Sequence, residues 1–374
     1  MPQAATEVRF SSAITDERDS DTAIDAAITQ VASQVSAPID LLTLFVTSHH
    51  VDRFSHITDQ LRDRLDPKVM LGVTAGGVVG VGREIEQGPG LSLLAASLPG
   101  VNLEPFDGDD LDWQLAEDDP QKLTDQFDAG PGAKAMILLA DPFSTPINHM
   151  LAHSREAWGD LPIVGGMASG AAQAGGNRLM IDGRIKNEGS VGVMLSGALR
   201  VDCTVSQGCR PIGRPFVITK CQRHLVQELG GRNALEVIQE TIEQLDPDER
   251  AHAQEAGLLV GRVTDEYKER FGRGDFVIRN IVGIDKSGGY VAIADPQIRV
   301  GQTVQLHVRD GETAEQDFSM LLELQKLQGT GAGALLFTCN GRGTNLFDEP
   351  GKDVQIIHDA LGPVPLAGFF AAGE

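Results

Sequence analysis

The residues of this chain that are spaced for chemistry are mostly arginines and cysteines at the ends of apolar runs. Cys339-Asn-Gly-Arg-Gly343 follows the run Ala334–Thr338 and precedes a helical pattern. That places Cys339 and Arg342 at the carboxyl end of a strand, where α/β sheets bind ligands. Arg342 offers a planar fork for a carboxylate, either a ligand's or one of the chain's own acids. Cys339 becomes a nucleophile only beside a base, and the local sequence supplies no histidine, so a buried structural thiol is expected. Arg309 and Asp310 close the apolar run Thr303–Arg309. Adjacent strand residues face opposite sides, so the two read as a strand-end ion pair or as one pocket residue each. Arg279 shares a face with Val277 and Ile281 in Phe276–Gly283. An inward guanidinium there needs an anion, for which Asp310 or a ligand carboxylate would serve.

Other constellations are weaker. His149 and His153 lie four residues apart on a helical pattern, a spacing that can hold zinc. Met150, Leu151 and Ala152 separate them, with no general-base Glu and no third ligand evident. His49-His50 likewise lacks partners at ligand spacing. No G-x-x-x-x-G-K-[ST] phosphate loop and no G-x-S-x-G elbow occur. No metal, no cofactor and no catalytic residue is expected.

These residues must be positioned by repeated units. Three strands end on the signature G-x-x-A-x-G: Gly72-Val-Thr-Ala-Gly-Gly77, Gly165-Gly-Met-Ala-Ser-Gly170 and Gly368-Phe-Phe-Ala-Ala-Gly373. About thirty residues before each lies another apolar run, Leu41–Val46, Ala135–Ala140 or Ala334–Thr338. Strand, helix, strand and small-residue turn make a βαβ unit, so each strand pair should be parallel. The turns leave backbone N–H groups open at Gly76–Gly77 and Ser169–Gly170, with the Thr74 and Ser169 hydroxyls beside them. The expected fold is α/β, two related lobes of mixed sheets with helices packed on their faces.

With 374 residues the chain is long for one core. At 41% hydrophobic and 22% charged it is globular. A net charge of −22 disfavours nucleic acid and acidic membrane surfaces. Glu104–Asp128 concentrates ten carboxylates with Lys122 as its one cation and reads as a solvated surface excursion. No eighteen-residue apolar stretch and no signal-peptide pattern is present. Cys203, Cys209, Cys221 and Cys339 are too few for a disulfide framework, so reduced thiols and a cytoplasmic location are expected.

Along the chain, Thr22–Ser36 reads as an amphipathic lead-in helix and Asp52–Leu65 as the first crossover. Ile147–Trp158 is the second crossover and Asp353–Leu361 the third. Asn177–Ile181 with Gly189–Leu195 reads as a hairpin-like pair, and Gly289–Ala294 with Thr303–Arg309 as another. Arg200–Cys221, rich in Gly, Cys and Pro, reads as irregular.

Read in order, Leu71-Gly-Val-Thr-Ala-Gly-Gly77, Pro89-Gly-Leu-Ser-Leu-Leu94, Pro162-Ile-Val-Gly-Gly-Met-Ala-Ser-Gly170, Gln207-Gly-Cys-Arg-Pro-Ile-Gly213, Phe276-Val-Ile-Arg-Asn-Ile-Val-Gly283, Val308-Arg-Asp310, Phe337-Thr-Cys-Asn-Gly-Arg-Gly343 and Pro365-Leu-Ala-Gly-Phe-Phe370 resemble the FIST family. The likeness covers roughly residues 35 to 374 and rests on order and spacing together. It implies a lead-in region over 1–36, a FIST N-terminal domain over 37–205 and a FIST C-terminal domain over 206–374. It further implies a sensory module for a small ligand such as an amino acid, with a signalling protein as partner. The ligand set expected from residues and resemblance is Arg342, Arg279, Arg309, Thr74, Gly77, Ser169, Gly170 and Cys339, around a small anionic metabolite between two lobes. The alternatives are an interaction scaffold without a small ligand, or a thiol-dependent enzyme using Cys339 or Cys209.

Overall fold

Unbroken apolar runs set the central strands of this protein, and apolar residues at helical spacing set the crossovers between them. The computed structural model describes residues 7–34, 37–113, 115, 119–268, 270–272 and 274–374. The chain divides into two compact units, one joining residues 1–204 to 322–374 and the other comprising 205–321.

The first unit opens with β1 (Arg9–Thr15), α1 (Ser20–Gln34) and β2 (Leu41–Thr47). From there α2 (Phe54–Leu65) leads to β3 (Val69–Ala75), which lies parallel to β2. A hairpin of β4 (Val78–Gly80) and β5 (Arg83–Ile85) follows, then β6 (Leu91–Ser97) and β7 (Val101–Asp107). The second copy is β8 (Ala133–Ala140), α3 (Ile147–Trp158) and β9 (Ile163–Met167), again a parallel pair. Its hairpin is β10 (Leu179–Ile181) with β11 (Arg184–Lys186), and β12 (Ser190–Gly197) follows. The chain then builds the second unit from β13 (Cys209–Gln222), β14 (Leu225–Leu229), β15 (Arg232–Asn233), α4 (Ala234–Glu243), α5 (Pro247–Ala256), β16 (Leu258–Val263), β17 (Phe276–Asp285), β18 (Tyr290–Ile293) and β19 (Thr303–Arg309). After α6 (Gly311–Gln328), the third copy returns to the first unit as β20 (Ala334–Cys339), α7 (Lys352–Leu361) and β21 (Leu366–Ala371), also parallel.

The duplication is exact in register. Gly72 lies opposite Leu44, Gly165 opposite Leu138, and Gly368 opposite Leu336. In the second and third signatures this first glycine is a packing requirement. A Cβ would fall 1.8 Å from the Leu138 carbonyl oxygen at Gly165 and 1.8 Å from that of Leu336 at Gly368.

Three sheets result, ordered β1-β6-β2-β3-β10-β11, β7-β12-β8-β9 and β20-β21-β4-β5. The hairpin after the first copy crosses to the third copy's β21, and the hairpin after the second crosses to the first copy's β3. Residues from all three sheets share one core, in which Phe45 stacks on Phe369 at 5.2 Å and Phe337 meets Phe369 edge-on at 5.6 Å. On the far face of the first sheet, Ile24, Ile28 and Val31 of α1 and Phe54, Ile57 and Leu61 of α2 cover Leu42, Leu44 and Val46. Both faces of β2 are thus buried, which is why its sequence is a continuous apolar run.

In the second unit β13 pairs with β19 on one side and β14 on the other, so β13, β19, β16, β17, β18 and β14 close on themselves with every pairing antiparallel. Ala234, Val237 and Ile238 of α4 plug the interior against Val226, Val260 and Ile293. The remaining cavity, about 10 Å³, is too small for a metabolite.

The α/β class is as read from sequence, but all three βαβ units lie in the first unit and none in the second. Three local readings are corrected. Cys209–Gln222 is a long strand, because Pro211 pairs in register opposite His307 and one irregularity between Ile212 and Phe216 absorbs Gly213 and Pro215 without ending the pairing to β19. Strand β10 pairs with β11 and β3, while Ser190–Gly197 belongs to a different sheet. Likewise β18 pairs with β17 and β14, and β19 with β13 and β16. The sequence reading also lacks β1, whose Ser11 and Ser12 break the apolar pattern although both are buried. Among the described residues no helix is long and apolar enough to cross a membrane.

Candidate functional site

The three glycine turns meet in the first unit. Ser169 and Gly170 donate their N–H groups to the Thr74 carbonyl, each at 3.3 Å. Phe370 donates to the Gly77 carbonyl at 3.0 Å, and Met167 to that of Gly373 at 2.8 Å. Each signature's end therefore bonds the third residue of another signature, and the three close a ring. Ser169 fastens the ring with its side chain: its Oγ accepts from Gly76 N–H at 2.8 Å and donates to the Phe370 carbonyl. Thr74 Oγ1 accepts from Arg178 N–H at 2.8 Å. Gly170 sits where a Cβ would lie 2.9 Å from that of Thr74, and Gly77 where one would lie 2.7 Å from the Ile85 carbonyl oxygen. Thr74, Gly77, Ser169 and Gly170 are thus brought together, with their groups joined largely to one another.

Cys339 ends β20 at the same place. Its Sγ accepts from Gly341 N–H at 3.4 Å, and the residue is half-buried where the sequence suggested a largely buried thiol. Asn340 is exposed beside Gly76. Arg342 turns inward from this loop and is 8% exposed. Its Nε and Nη2 donate to the two carboxylate oxygens of Asp353, at 2.9 and 2.6 Å. Asp353, 1% exposed, also accepts from Thr338 Oγ at 2.9 Å. Burial works against the Arg342 charge. The bonds to Asp353, with the nearby Glu374 and Glu84 carboxylates, more than offset it and lift its pKa above the ordinary value. The anion that Arg342 meets is therefore a protein carboxylate in the first turn of α7.

Two further acids complete the cluster. Glu84 on β5 accepts the N–H of Val354 at 3.0 Å and so caps α7 from the neighbouring sheet edge. Burial, joined by the charges of Asp353 and Glu86, raises its pKa to about 7. Glu86 Oε2 accepts from Thr344 N–H at 2.8 Å and from Thr344 Oγ1 at 2.5 Å. The other oxygens, Glu84 Oε2 and Glu86 Oε1, are buried with no hydrogen-bond partner among the described residues. Sequence reasoning missed this pair. Glu84-Ile-Glu86 alternates as one face of a strand, but the segment between Gly80 and Gly90 reads as a turn-rich link. Asp353 reads as an ordinary acid at a helix start.

The raised Glu84 pKa has a signed consequence. Folding favours the protonated form, so stability is greatest below the ordinary carboxylate range and falls as pH rises through the folded value near 7. We expect Glu84→Gln to match or exceed the native protein at about pH 8 and to lose that advantage toward pH 5, a swing of up to about 3 kcal/mol. Urea unfolding at both pH values checks this, and a difference independent of pH refutes it.

Arg279 and Arg309 belong to the second unit. Arg279 donates to the Ile278 carbonyl at 3.1 Å, and its Nε lies 3.9 Å from Asp295, the carboxylate that Arg262 Nε holds at 2.7 Å. Its anion is Asp295, not Asp310. Arg309 presents its carbonyl to His252 Nε2 at 2.8 Å. Asp310 is not its ion-pair partner: it accepts from Thr313 N–H at 2.7 Å, at the start of α6, and lies 3.7 Å from Arg210. His149 and His153 contact each other at 3.0 Å, and no cluster of metal-ligating side chains occurs among the described residues. Asp107 and Asp109 of the acidic stretch hold Lys186, while residues 114 and 116–118 lie outside the described residues.

Comparison with known proteins agrees with the repeat pattern. The FIST N domain matches residues 40–232 and the FIST C domain residues 234–374. An uncharacterized protein of Mycobacterium bovis is 39% identical over 336 residues, which span 89% of this chain and 85% of the relative. Two uncharacterized proteins of Mycobacterium tuberculosis are 39% and 36% identical over the same shares. With both domain models matched in tandem along nearly its whole length, the chain belongs to the FIST family.

Proposed function

We propose that this protein is a sensory module that takes a small metabolite bearing an amino group, an amino acid above all, at the carboxyl ends of β20 and β3. FIST domains are associated with sensing and signal transduction. The observation that carries the finer reading is the pair of buried carboxylate oxygens, Glu84 Oε2 and Glu86 Oε1, which lack a donor. A buried carboxylate oxygen favours a proton or a donor, and an ammonium supplies up to three N–H groups. Charge points the same way. Three carboxylates, Asp353, Glu374 and Glu84, act on Arg342, whose fork is engaged by Asp353, and a fourth, Glu86, acts on Glu84. A purely anionic ligand would meet net negative charge, so the anionic metabolite expected from sequence is narrowed to a zwitterion.

A thermal-shift panel tests this. Amino acids should raise the melting temperature, by the equivalent of about 2.7 kcal/mol at a hundredfold excess over Kd. The matching α-keto acids should not. Glu86→Gln should abolish the shift while leaving the unliganded protein close to native stability. Equal shifts from keto acids would sink the ammonium reading, and no shift from either series would sink this site.

A further inference from the structure

The second unit closes around an apolar interior, and one end of that interior is charged. Along β16, Val260 lines the interior with Leu306 opposite it. Arg262, two residues on, takes the same face, with Val304 and Val277 opposite. A guanidinium placed there needs an anion. Asp295, from the turn between β18 and β19, supplies it. Arg262 Nε donates to Asp295 Oδ2 at 2.7 Å, where the arginine side chain is 12% and the aspartate side chain 1% exposed. Arg262 Nη2 donates to Gln297 Oε1 at 3.0 Å. Asp295 Oδ1 accepts from Gln297 N–H at 2.9 Å, so the same carboxylate shapes the turn. Gln302, itself buried, ties the far end of the turn: its Oε1 accepts from Arg299 N–H at 2.9 Å.

These contacts leave donors over. Among the described residues, Arg262 Nη1 and Gln302 Nε2 have no hydrogen-bond partner, and neither atom is buried. The guanidinium of Arg299 is exposed and has no ion-pair partner among the described residues. All three residues line one open cavity of about 470 Å³, together with Pro296, Gln297 and Ile298. That volume suits a small metabolite, and the mouth of a closed sheet is a usual place for one.

Charge sets the sign of the ligand. Arg279 Nε lies 3.9 Å from Asp295, and Glu266 Oε1 accepts from Thr303 N–H at 2.7 Å beside the turn. Arg262, Arg279 and Arg299 against Asp295 and Glu266 leave a local excess of one positive charge, in a chain whose net charge is −22. Such an excess at a cavity draws anions. The engaged atoms set the class. The Nε and Nη2 side of Arg262 is taken by Asp295 and Gln297, which closes it to side-on pairing with a ligand carboxylate. What remains is single donors on three separate residues, and the three terminal oxygens of a phosphate accept from several directions at once.

We infer that this cavity is a binding site for a small phosphorylated metabolite, with Arg262, Arg299 and Gln302 donating to its phosphate oxygens. Asp295 and Gln297 hold Arg262 in place for that task. The site lies wholly within residues 205–321 and shares no residue with the amino-acid site proposed above.

The probe is glycerol phosphate, titrated calorimetrically into the whole protein at constant ionic strength, with inorganic phosphate, succinate and glycerol for comparison. Glycerol phosphate should saturate with a Kd of about 1 mM or tighter, and succinate should bind at least about tenfold more weakly. Arg299→Gln removes a guanidinium that holds no contact of the fold, so the melting temperature of the unliganded protein should not move. It should weaken glycerol phosphate at least about tenfold, the usual loss of a charge-assisted bond. Arg9→Gln, at an exposed arginine of the first unit, should leave binding unchanged. No saturable binding of glycerol phosphate overturns the site. Native affinity in Arg299→Gln overturns its placement at this cavity, and an equal loss in Arg9→Gln reduces it to diffuse charge attraction. Succinate binding as tightly as glycerol phosphate overturns the phosphate assignment. Saturation by inorganic phosphate with glycerol phosphate excluded makes free phosphate the ligand and overturns the metabolite.

Discussion

Arg342→Ala is expected to destabilise the unliganded protein by roughly 3–5 kcal/mol, the usual result of leaving a buried carboxylate without its cation. Asp353 is 1% exposed, and its two oxygens receive Arg342 Nε and Nη2 at 2.9 and 2.6 Å. Among the described residues, truncating the arginine leaves the Thr338 hydroxyl as the one side-chain donor on a carboxylate in the first turn of α7. That helix carries the chain from β20 to β21, so its loosening exposes the core around Phe337 and Phe369. Asp353→Asn should cost a comparable amount, by stranding the guanidinium between Phe347 and the remaining acids. The double variant should cost clearly less than the two single losses added, because neither partner is then orphaned. Chemical unfolding of the four proteins completes the cycle. A loss under about 1 kcal/mol for Arg342→Ala, combined with a vanished ligand response, would return the arginine to the binding surface.

The contrast between Arg342 and the glycines marks how far the sequence could be read. The three βαβ units, their parallel pairing and the carboxyl-end position of Cys339 and Arg342 follow from local pattern: apolar runs, helical spacing and a repeated turn. What Arg342 touches does not. Its partner is eleven residues on, across a turn, and of the acids that share its environment Glu84 comes from the hairpin after the first copy. No local rule foretells that Val78–Ile85 pairs with a strand nearly three hundred residues later. The same exchange of hairpins between copies hid the ring of turns. The second unit was least legible, because its strands close through bulges and prolines that read locally as loop. Arg279 and Arg309 lie on strands as the sequence pattern places them, but their partners, Asp295 and His252, come from segments sixteen and fifty-seven residues away that local pattern does not connect to them.

The largest single-residue effect is expected at the first glycine of a signature. At Gly165 an added Cβ would stand 1.8 Å from the Leu138 carbonyl oxygen, and at Gly368 the same distance from that of Leu336. Both obstacles are backbone in the facing parallel strand, so no rotamer change relieves them. The strands must separate, which breaks ladder bonds in the core of the first unit. Gly165 also has φ +150°, a conformation that side chains rarely adopt. Overpacking with backbone displacement and strain together should cost about 4 kcal/mol or more, a large fraction of the roughly 5–15 kcal/mol that holds an ordinary domain folded. Gly72 is the internal control. There a Cβ would meet the Leu44 oxygen at 3.0 Å and its Cβ at 3.1 Å, a contact that a few tenths of an ångström of movement relieve. Gly72→Ala should therefore cost about 1–2 kcal/mol and leave a folded, cooperative protein. Circular dichroism and urea unfolding of the three alanine variants decide the matter. Equal losses at Gly72, Gly165 and Gly368 would mean that the glycines serve turn flexibility rather than the close approach of paired strands.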